Sequence, residues 1–539
     1  MSHLVDGGQK GELYQQNFMT KNRKRNIAIT LLVAFGAIFL LVFVVCQAVA
    51  ETQIADFLKR KIPPHIELTY KNARVNVFKG SIEFEKINLN FHDRDSSLLQ
   101  TKVQIDQLTI VDFDYWDFFV KNTIHVDALK VEKPDVSYFL AHVLPQKDTV
   151  SKGVVQLLKS IEVEKIMVED GNLMVLKDTK DSVKVEMKGI NFLMIGGRTG
   201  PELIKKKIPL QYDRYELTTD DVFVDLGPYE IFRASNVQLK PEKASLQNLS
   251  LVTKFSKAEL SRKLRVERDH IDLKIPRMET EDIDFGFERN TFFLNVGKGV
   301  IKAPNLEIYR DKLIPDDMKR KKLYSQMLRE LPINLSVPEI KIDNGRVSYS
   351  ERVTKETKPA PLIFGNLDAV IKNISNTGTN VSVEAAAKLM NETRLKLNWS
   401  FDDPSKNDRF VASGIVTDFR AASLNDFLTS NLRARAKGVV NELYFTVSGD
   451  AITARGDMKM KYEDFEFAVL KKDRLGINKF LTTIGKIFIN DGSKTAADGF
   501  RYGVIEVERD PTKSFFNYLW INVQDGTLST ITGKAKKKE

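Results

Sequence analysis

Hydrophobic positions divide this chain into two regimes. Residues 27–45 form one unbroken apolar run inside an uncharged window from Asn26 to Ala50. About 20 apolar residues, each rising about 1.5 Å, cross the roughly 30 Å hydrocarbon core of a bilayer, so the run predicts a single transmembrane helix. Past residue 65 the period falls to two, as in half-buried β-strands. Here one phrase recurs: apolar, x, apolar, x, x, apolar, x, apolar, then a turn residue and another apolar position. It runs Ile124, Val126, Leu129, Val131, Pro134, Val136, and again Ile161, Val163, Ile166, Val168, Gly171, Leu173. Two further copies are Leu335, Val337, Ile340, Ile342, Gly345, Val347 and Leu294, Val296, Gly299, Ile301, Pro304, Leu306. Val103, Ile105, Leu108, Ile110 and Ile82, Phe84, Ile87, Leu89 begin the same way.

Alternation puts one row of side chains on one sheet face. An extra residue in the two-residue gap, a β-bulge, returns the row to that face and adds twist. The turn slots (Pro134-Asp135, Gly171-Asn172, Pro304-Asn305, Asn344-Gly345) hold residues that tolerate or preset turn dihedrals. Each copy is therefore expected to be a bulged strand, a tight turn and a returning strand. Alternation also marks strands at Val222–Leu226, Val237–Leu251, Val381–Val383, Leu395–Trp399 and Leu443–Val447.

Helical spacing is rarer. Ile54, Phe57 and Leu58 predict a short amphipathic extension of the anchor. Residues 316–330 carry Met318, Leu323, Met327 and Leu328 amid basic residues. Residues 477–488 space Phe480, Leu481, Ile484 and Phe488 as a stripe, and 513–523 do so with Phe515, Phe516, Leu519 and Trp520. Such helices pack on the sheet, or else cover an apolar opening or touch a membrane.

Charge orients the molecule. Lys21, Arg23, Lys24 and Arg25 precede the apolar run and Glu51 and Asp56 follow it, which places residues 1–25 in the cytoplasm and exports the body. Ala48-Val49-Ala50 resembles a signal-peptidase site, but a run of 19 residues exceeds a usual signal core. Cys46, the only cysteine, lies at the anchor, so the body has neither disulfides nor thiol chemistry. That combination fits a bacterial periplasm. The net charge of +10 is spread over interleaved acids and bases, with no stripe for nucleic acid; residues 534–539 form a basic tail. Soft breaks fall near 200–215 and 351–361. The expected division is 1–25 cytoplasmic, 26–50 anchor, 51–437 β body and 438–533 C-terminal strands with helices.

Enzyme signatures are missing: no G-x-S-x-G, Walker loop or H-E-x-x-H occurs. The six histidines show no metal-ligand spacing; His65, His92 and His125 fall within or beside strands, where a solvated histidine is the ordinary reading, and neither a metal nor a cofactor is implied. Asp112/Asp114 and Asp282/Asp284 would each put two carboxylates on one strand face, an arrangement able to hold a cation but far more often a solvated polar face.

The segment Val77–Ile87, with its glycine turn after an apolar-aromatic pair, resembles the first strand pair of the AsmA family of bacterial envelope proteins. Leu443–Val469, especially Ser448-Gly449-Asp450 and Gly456–Asp464, is similar to that family's C-terminal region. The resemblance implies a mainly β fold: an elongated, twisted, taco-like antiparallel β-groove behind one N-terminal transmembrane helix. It also implies a single-pass inner-membrane protein of a Gram-negative bacterium, with its body in the periplasm, serving phospholipid transport and outer-membrane biogenesis. Expected partners are the membrane, its lipids and other envelope proteins.

A groove suits lipids for a simple reason. At about 0.8 kcal/mol per CH₂, a 16-carbon chain costs roughly 12 kcal/mol to expose to water, and a continuous apolar furrow removes most of that cost without a catalytic residue. The candidate lining is Ile82, Phe84, Val103, Ile105, Ile124, Val126, Ile161, Val163, Leu335 and Val337. Two alternatives stand beside it: the same rows form the closed core of a sandwich or barrel, and the protein is a non-enzymatic scaffold for outer-membrane proteins acting through an exposed edge strand.

Overall fold

The computed structural model describes residues 64–533, apart from 77–79, 94–96, 115–116, 118–119, 121–122, 143–159, 178–181, 204–205, 207, 209, 289–290, 377, 379, 403–406 and 470–494. The predicted cytoplasmic segment, anchor, extension at 54–58, helix at 477–488 and basic tail lie outside the described residues. Among the described residues no helix is long and apolar enough to cross a membrane.

The protein is mainly β, and 24 strands belong to one mixed sheet. They are β1 (Ile66–Thr69), β2 (Asn72–Asn76), β3 (Ser81–His92), β4 (Leu99–Phe113), β5 (Thr123–Glu132), β6 (Asp135–Phe139), β7 (Ser160–Leu176), β8 (Val183–Thr199), β9 (Arg214–Asp225), β10 (Glu230–Leu239), β11 (Lys243–Thr253) and β12 (Asp269–Glu281). There follow β13 (Asp284–Glu288), β14 (Thr291–Asn295), β15 (Lys298–Lys302), β16 (Asn305–Asp311), β17 (Asn334–Arg352), β18 (Leu362–Ser375), β19 (Asn380–Leu389), β20 (Thr393–Asp402), β21 (Phe410–Arg420), β22 (Ala434–Gly449), β23 (Thr453–Val469) and β24 (Arg501–Glu508). The described α-helices are α1 (Lys257–Lys263), α2 (Tyr324–Arg329), α3 (Asn425–Leu432) and α4 (Phe515–Thr532). Two compact units divide the chain: unit 1 ends at Leu226 and adds Phe232–Ala244, and unit 2 comprises Gly227–Ile231 and Ser245 onward.

The recurring phrase folds differently from expectation. No turn and return occurs within a copy. In unit 1 the chain continues in one direction from β5 into β6, and both run parallel to β7. In unit 2 the segments β14, β15 and β16 likewise run parallel to β17. Hence the sheet is mixed, not purely antiparallel. The phrase is a strand-pairing code: Ile124, Val126, Leu129, Val131 and Val136 stand opposite Ile161, Val163, Ile166, Val168 and Leu173. Leu294, Ile301 and Leu306 stand opposite Leu335, Ile342 and Val347 in the same way. Parallel, in-register pairing sets like on like, so each apolar row runs uninterrupted from strand to strand.

The bulge also sits elsewhere. The two-residue gap occurs at matching places on β5 and β7, and pairing passes through it without a shift. Register shifts fall instead at the turn slot, around Gly171 against β8 and around Gly345 against β18. The left-handed residues there are Lys133 (φ 47) and Asp170 (φ 53) in unit 1, and Ala303 (φ 46) and Asn344 (φ 52) in unit 2. Their backbone bonds match too: Lys133 N–H donates to Glu169 O and Ala303 N–H to Asp343 O, both at 2.8 Å. Asn172 N–H donates to Pro134 O, and Arg346 N–H to Pro304 O, both at 2.7 Å. Proline suits this place because the break leaves it no ladder bond to donate. Around each break the surroundings agree: an antiparallel strand on one side (β4, β12) and a long antiparallel strand on the other (β8, β18).

Single left-handed residues also interrupt other strands, namely Lys86, Asp112, Asn236, Asn248, Asn366, Asp418 and Asp464, each followed by an apolar residue. The left-handed residue changes the phase of alternation and so returns the apolar row to its face; beside Asn366 and Asp464 the pairing register shifts, as at a β-bulge, whereas at Lys86, Asp112 and Asp418 the register runs through unchanged. Asn and Asp dominate because they tolerate that region best. Asp112 and Asp282 (φ 50) break alternation in this way, so the expected shared face for Asp112/Asp114 and Asp282/Asp284 has no regular strand beneath it.

The other helices and strands are adjusted in particular places. The segment predicted at 316–330 is helical only over Tyr324–Arg329. Upstream, Lys321 N–H donates to Pro511 O (2.7 Å) and the Arg509 guanidinium donates to Lys321 O (2.6 Å), which holds the backbone to another loop instead of its own turn. The strand predicted over Val237–Leu251 is a hairpin closed by Lys240 N–H on Lys243 O. The helix predicted at 513–523 continues to Thr532. Gly526 lets it approach β24, where an added Cβ would stand 2.8 Å from Ile505. The hydroxyls of Thr527, Thr530 and Thr532 turn back onto the helix's own carbonyls.

Candidate functional site

Eight of the ten candidate lining residues come together in unit 1. Ile82, Phe84, Val103, Ile105, Ile124, Val126, Ile161 and Val163 belong to one apolar cluster with Leu108, Ile110, Leu129 and Ile166, and none exceeds 2% exposure. At that exposure no surface is left for an added acyl chain unless neighbouring groups move apart. Leu335 and Val337 lie in unit 2, Leu335 half-buried and Val337 buried.

Unit 2 carries apolar ladders of a different character. One runs Met278, Ile301, Ile342, Ala369, Ala385, Leu397, each directly opposite the next on six strands. Another runs Leu273, Leu306, Val347, Phe364, Leu389. A third runs Ile340, Ile371, Val383, Trp399, Ala412. Most of these side chains are half-buried, while the alternate positions Lys341, Glu384 and Asn398 are exposed. At about 4.8 Å per strand, the first ladder is about 24 Å long. The sequence pattern marked ladder members Ile301, Leu306, Ile340, Ile342 and Val347 in the recurring phrase and Val383, Leu397 and Trp399 within alternating strands, but not the strand pairing that joins them, nor Ala369 and Ile371 on β18, where Asn366 interrupts alternation.

Helix α4 covers the C-terminal end of the same apolar system. Phe515, Tyr518 and Leu519 are buried against Phe410, Val447, Met458 and Ile505. The Phe515 ring stacks on Trp399 at 4.5 Å and meets Phe410 edge-on at 5.1 Å. Burial pushes the Tyr518 hydroxyl pKa up. Of the eight helix residues predicted to cover an opening or touch a membrane, the four on α4 divide: Phe515 and Leu519 pack inward, whereas Phe516 and Trp520 are 56% and 46% exposed. Tyr324 stands 6.0 Å from Phe516, so exposed aromatics of α2 and α4 meet beside the half-buried ladders.

The helix also guards the side of β24 away from β23. Ser529 Oγ accepts from Val504 N–H (2.8 Å) and Asp525 Oδ2 from Glu506 N–H (2.9 Å). These are backbone donors that an added strand would otherwise take.

No protein-family model matches the chain, and no curated protein matches it.

Proposed function

We propose that the protein binds lipid acyl chains and carries them through the bacterial envelope, with residues 27–45 anchoring it in the inner membrane and the β body in the periplasm. The observation behind this reading is the apolar ladder from Met278 to Leu397, half-buried except at the buried Ala369 and without a polar residue across six strands. A phospholipid fits because its tails need about 0.8 kcal/mol of shelter per CH₂ while its head group stays in water. The sheet's one-sided rows and the AsmA-family resemblance of Val77–Ile87 and Leu443–Val469 support an elongated groove. The reading asks nothing of a catalytic residue. A scaffold acting by strand addition is opposed at β24 by Asp525 and Ser529, which accept from the amides of Glu506 and Val504.

The test uses full-length protein purified in mild detergent. Phospholipid should co-purify and be identified by mass spectrometry. A photo-reactive residue at Ile342 or Leu397 should crosslink to it, and one at Val126 or Lys341 should not. Absence of bound lipid together with no crosslink at Ile342 or Leu397 refutes the proposal.

A further inference from the structure

Unit 1 holds a cluster of mixed donors on the face of β5 and β7 opposite its buried row. In the parallel register His125 stands directly against Glu162, and Asp127 and Glu164 follow two residues along each strand. His125 Nε2 lies 3.7 Å from Asp127 Oδ1 and 3.7 Å from Glu164 Oε1, while Nδ1 lies 3.8 Å from Glu162 Oε2. One donor atom from each of His125, Asp127 and Glu164 falls within 4.8 Å of the others. The spacing escapes a reading along the chain because strand pairing, not sequence separation, assembles it.

Two features distinguish the cluster from ordinary surface acids. Like charges set against each other on adjacent strands are destabilising, yet among the described residues no Lys or Arg forms an ion pair with Asp127, Glu162 or Glu164. The second parallel pair, in unit 2, serves as an internal control. Aligning Leu294 and Leu335 with Ile124 and Ile161 puts Asn295, Gly297, Ser336 and Pro338 at the equivalent positions. The same strand arrangement forms there without one ionisable group, so the backbone does not demand the cluster.

We infer that the cluster binds a divalent transition-metal ion of the zinc class, with His125 Nε2, Asp127 and Glu164 as ligands. Ligand atoms about 2.0–2.2 Å from a tetrahedral ion stand about 3.4 Å apart, so the cluster closes on an ion by small side-chain adjustments. Neutral imidazole bound through Nε2 directs its Nδ1–H at Glu162, a carboxylate that fixes the tautomer and raises ligand basicity. The platform is stiff, since Ile124, Val126, Ile161 and Val163 beneath it are at most 1% exposed. A fourth position stays open to water or a further ligand.

The experiment takes full-length protein without a polyhistidine tag, strips it with chelator and titrates it with Co²⁺ and Zn²⁺. One ion per chain is expected, with a tetrahedral Co²⁺ absorption spectrum that Zn²⁺ abolishes. His125→Ala should weaken binding by about tenfold or more, and Glu162→Gln by about 10–100-fold with the stoichiometry kept. Circular dichroism confirms that each variant retains its strands. No binding by the wild-type chain, or equal binding by folded His125→Ala, overturns the inference.

Discussion

Pro134 lies across Gly171 so closely that a Cβ added to the glycine would stand 3.0 Å from the proline Cγ. Gly345 meets Pro304 at 3.1 Å in the same manner, with Val168 and Ile342 as the equivalent neighbouring side chains. In each unit the contact marks the place where one strand breaks and its parallel neighbour takes a left-handed residue. The Pro–Gly contact therefore fixes how the two copies of the phrase lie side by side.

Alanine at either glycine should overpack this contact. Gly171→Ala and Gly345→Ala are each expected to destabilise their unit by about 1–3 kcal/mol. Adding Pro134→Ala to Gly171→Ala should recover part of that loss, because the two residues touch and their effects are not additive. Hydrogen exchange at β7 and β17 amides reads the two units separately.

The phrase was legible in the sequence, and so was the one-sided apolar row; its strand partner was not. Pro134-Asp135 and Asn344-Gly345 look like turns because the residues that make a hairpin also make an in-line break. What distinguishes them is the parallel partner, a long-range fact that no local pattern carries. Helix α4 was undercounted for a related reason: Asp525 and Gly526 look like terminators, yet one serves β24 and the other allows close packing. The candidate lining was recognised as a row, but its burial could not be, since period two is the same for a closed core and a half-covered face.

Left-handed residues within strands should respond to side-chain shape. Asp418 sits at φ 57 on β21, followed by Phe419. Asp418→Val is expected to cost about 1–2 kcal/mol, whereas Asp418→Gly should change stability by no more than a few tenths. Denaturant midpoints of the unit 2 transition provide the comparison. Equal effects of the two substitutions would mean that backbone handedness is unimportant there.

Phe515 and Phe516 are adjacent but should behave oppositely. Phe515 fills the space between Trp399, Phe410 and Tyr324, so Phe515→Ala should cost about 3–5 kcal/mol. Phe516→Ala, on the exposed side, should stay within about 0.5 kcal/mol. If Phe516 instead touches a bilayer, its loss appears in vesicle binding and not in the melting curve.

Asp525 and Ser529 should be solubility residues more than stability residues. Each accepts one amide of β24, and in the case of Glu506 that amide is exposed enough for water to replace the carboxylate. The double variant Asp525→Ala/Ser529→Ala is therefore expected to lose only about 1–3 kcal/mol, two hydrogen bonds at about 0.5–1.5 kcal/mol each. The larger effect lies in what the freed amides attract. An uncovered edge offers donors to any extended chain, including another copy of β24, so sedimentation should show concentration-dependent self-association that the wild type lacks. Lysine at Val504 should suppress it without restoring the lost hydrogen bonds, because a charge on an edge opposes strand addition. A double variant that stays monomeric at high concentration would mean that the bulk of α4, and not these two side chains, protects the edge.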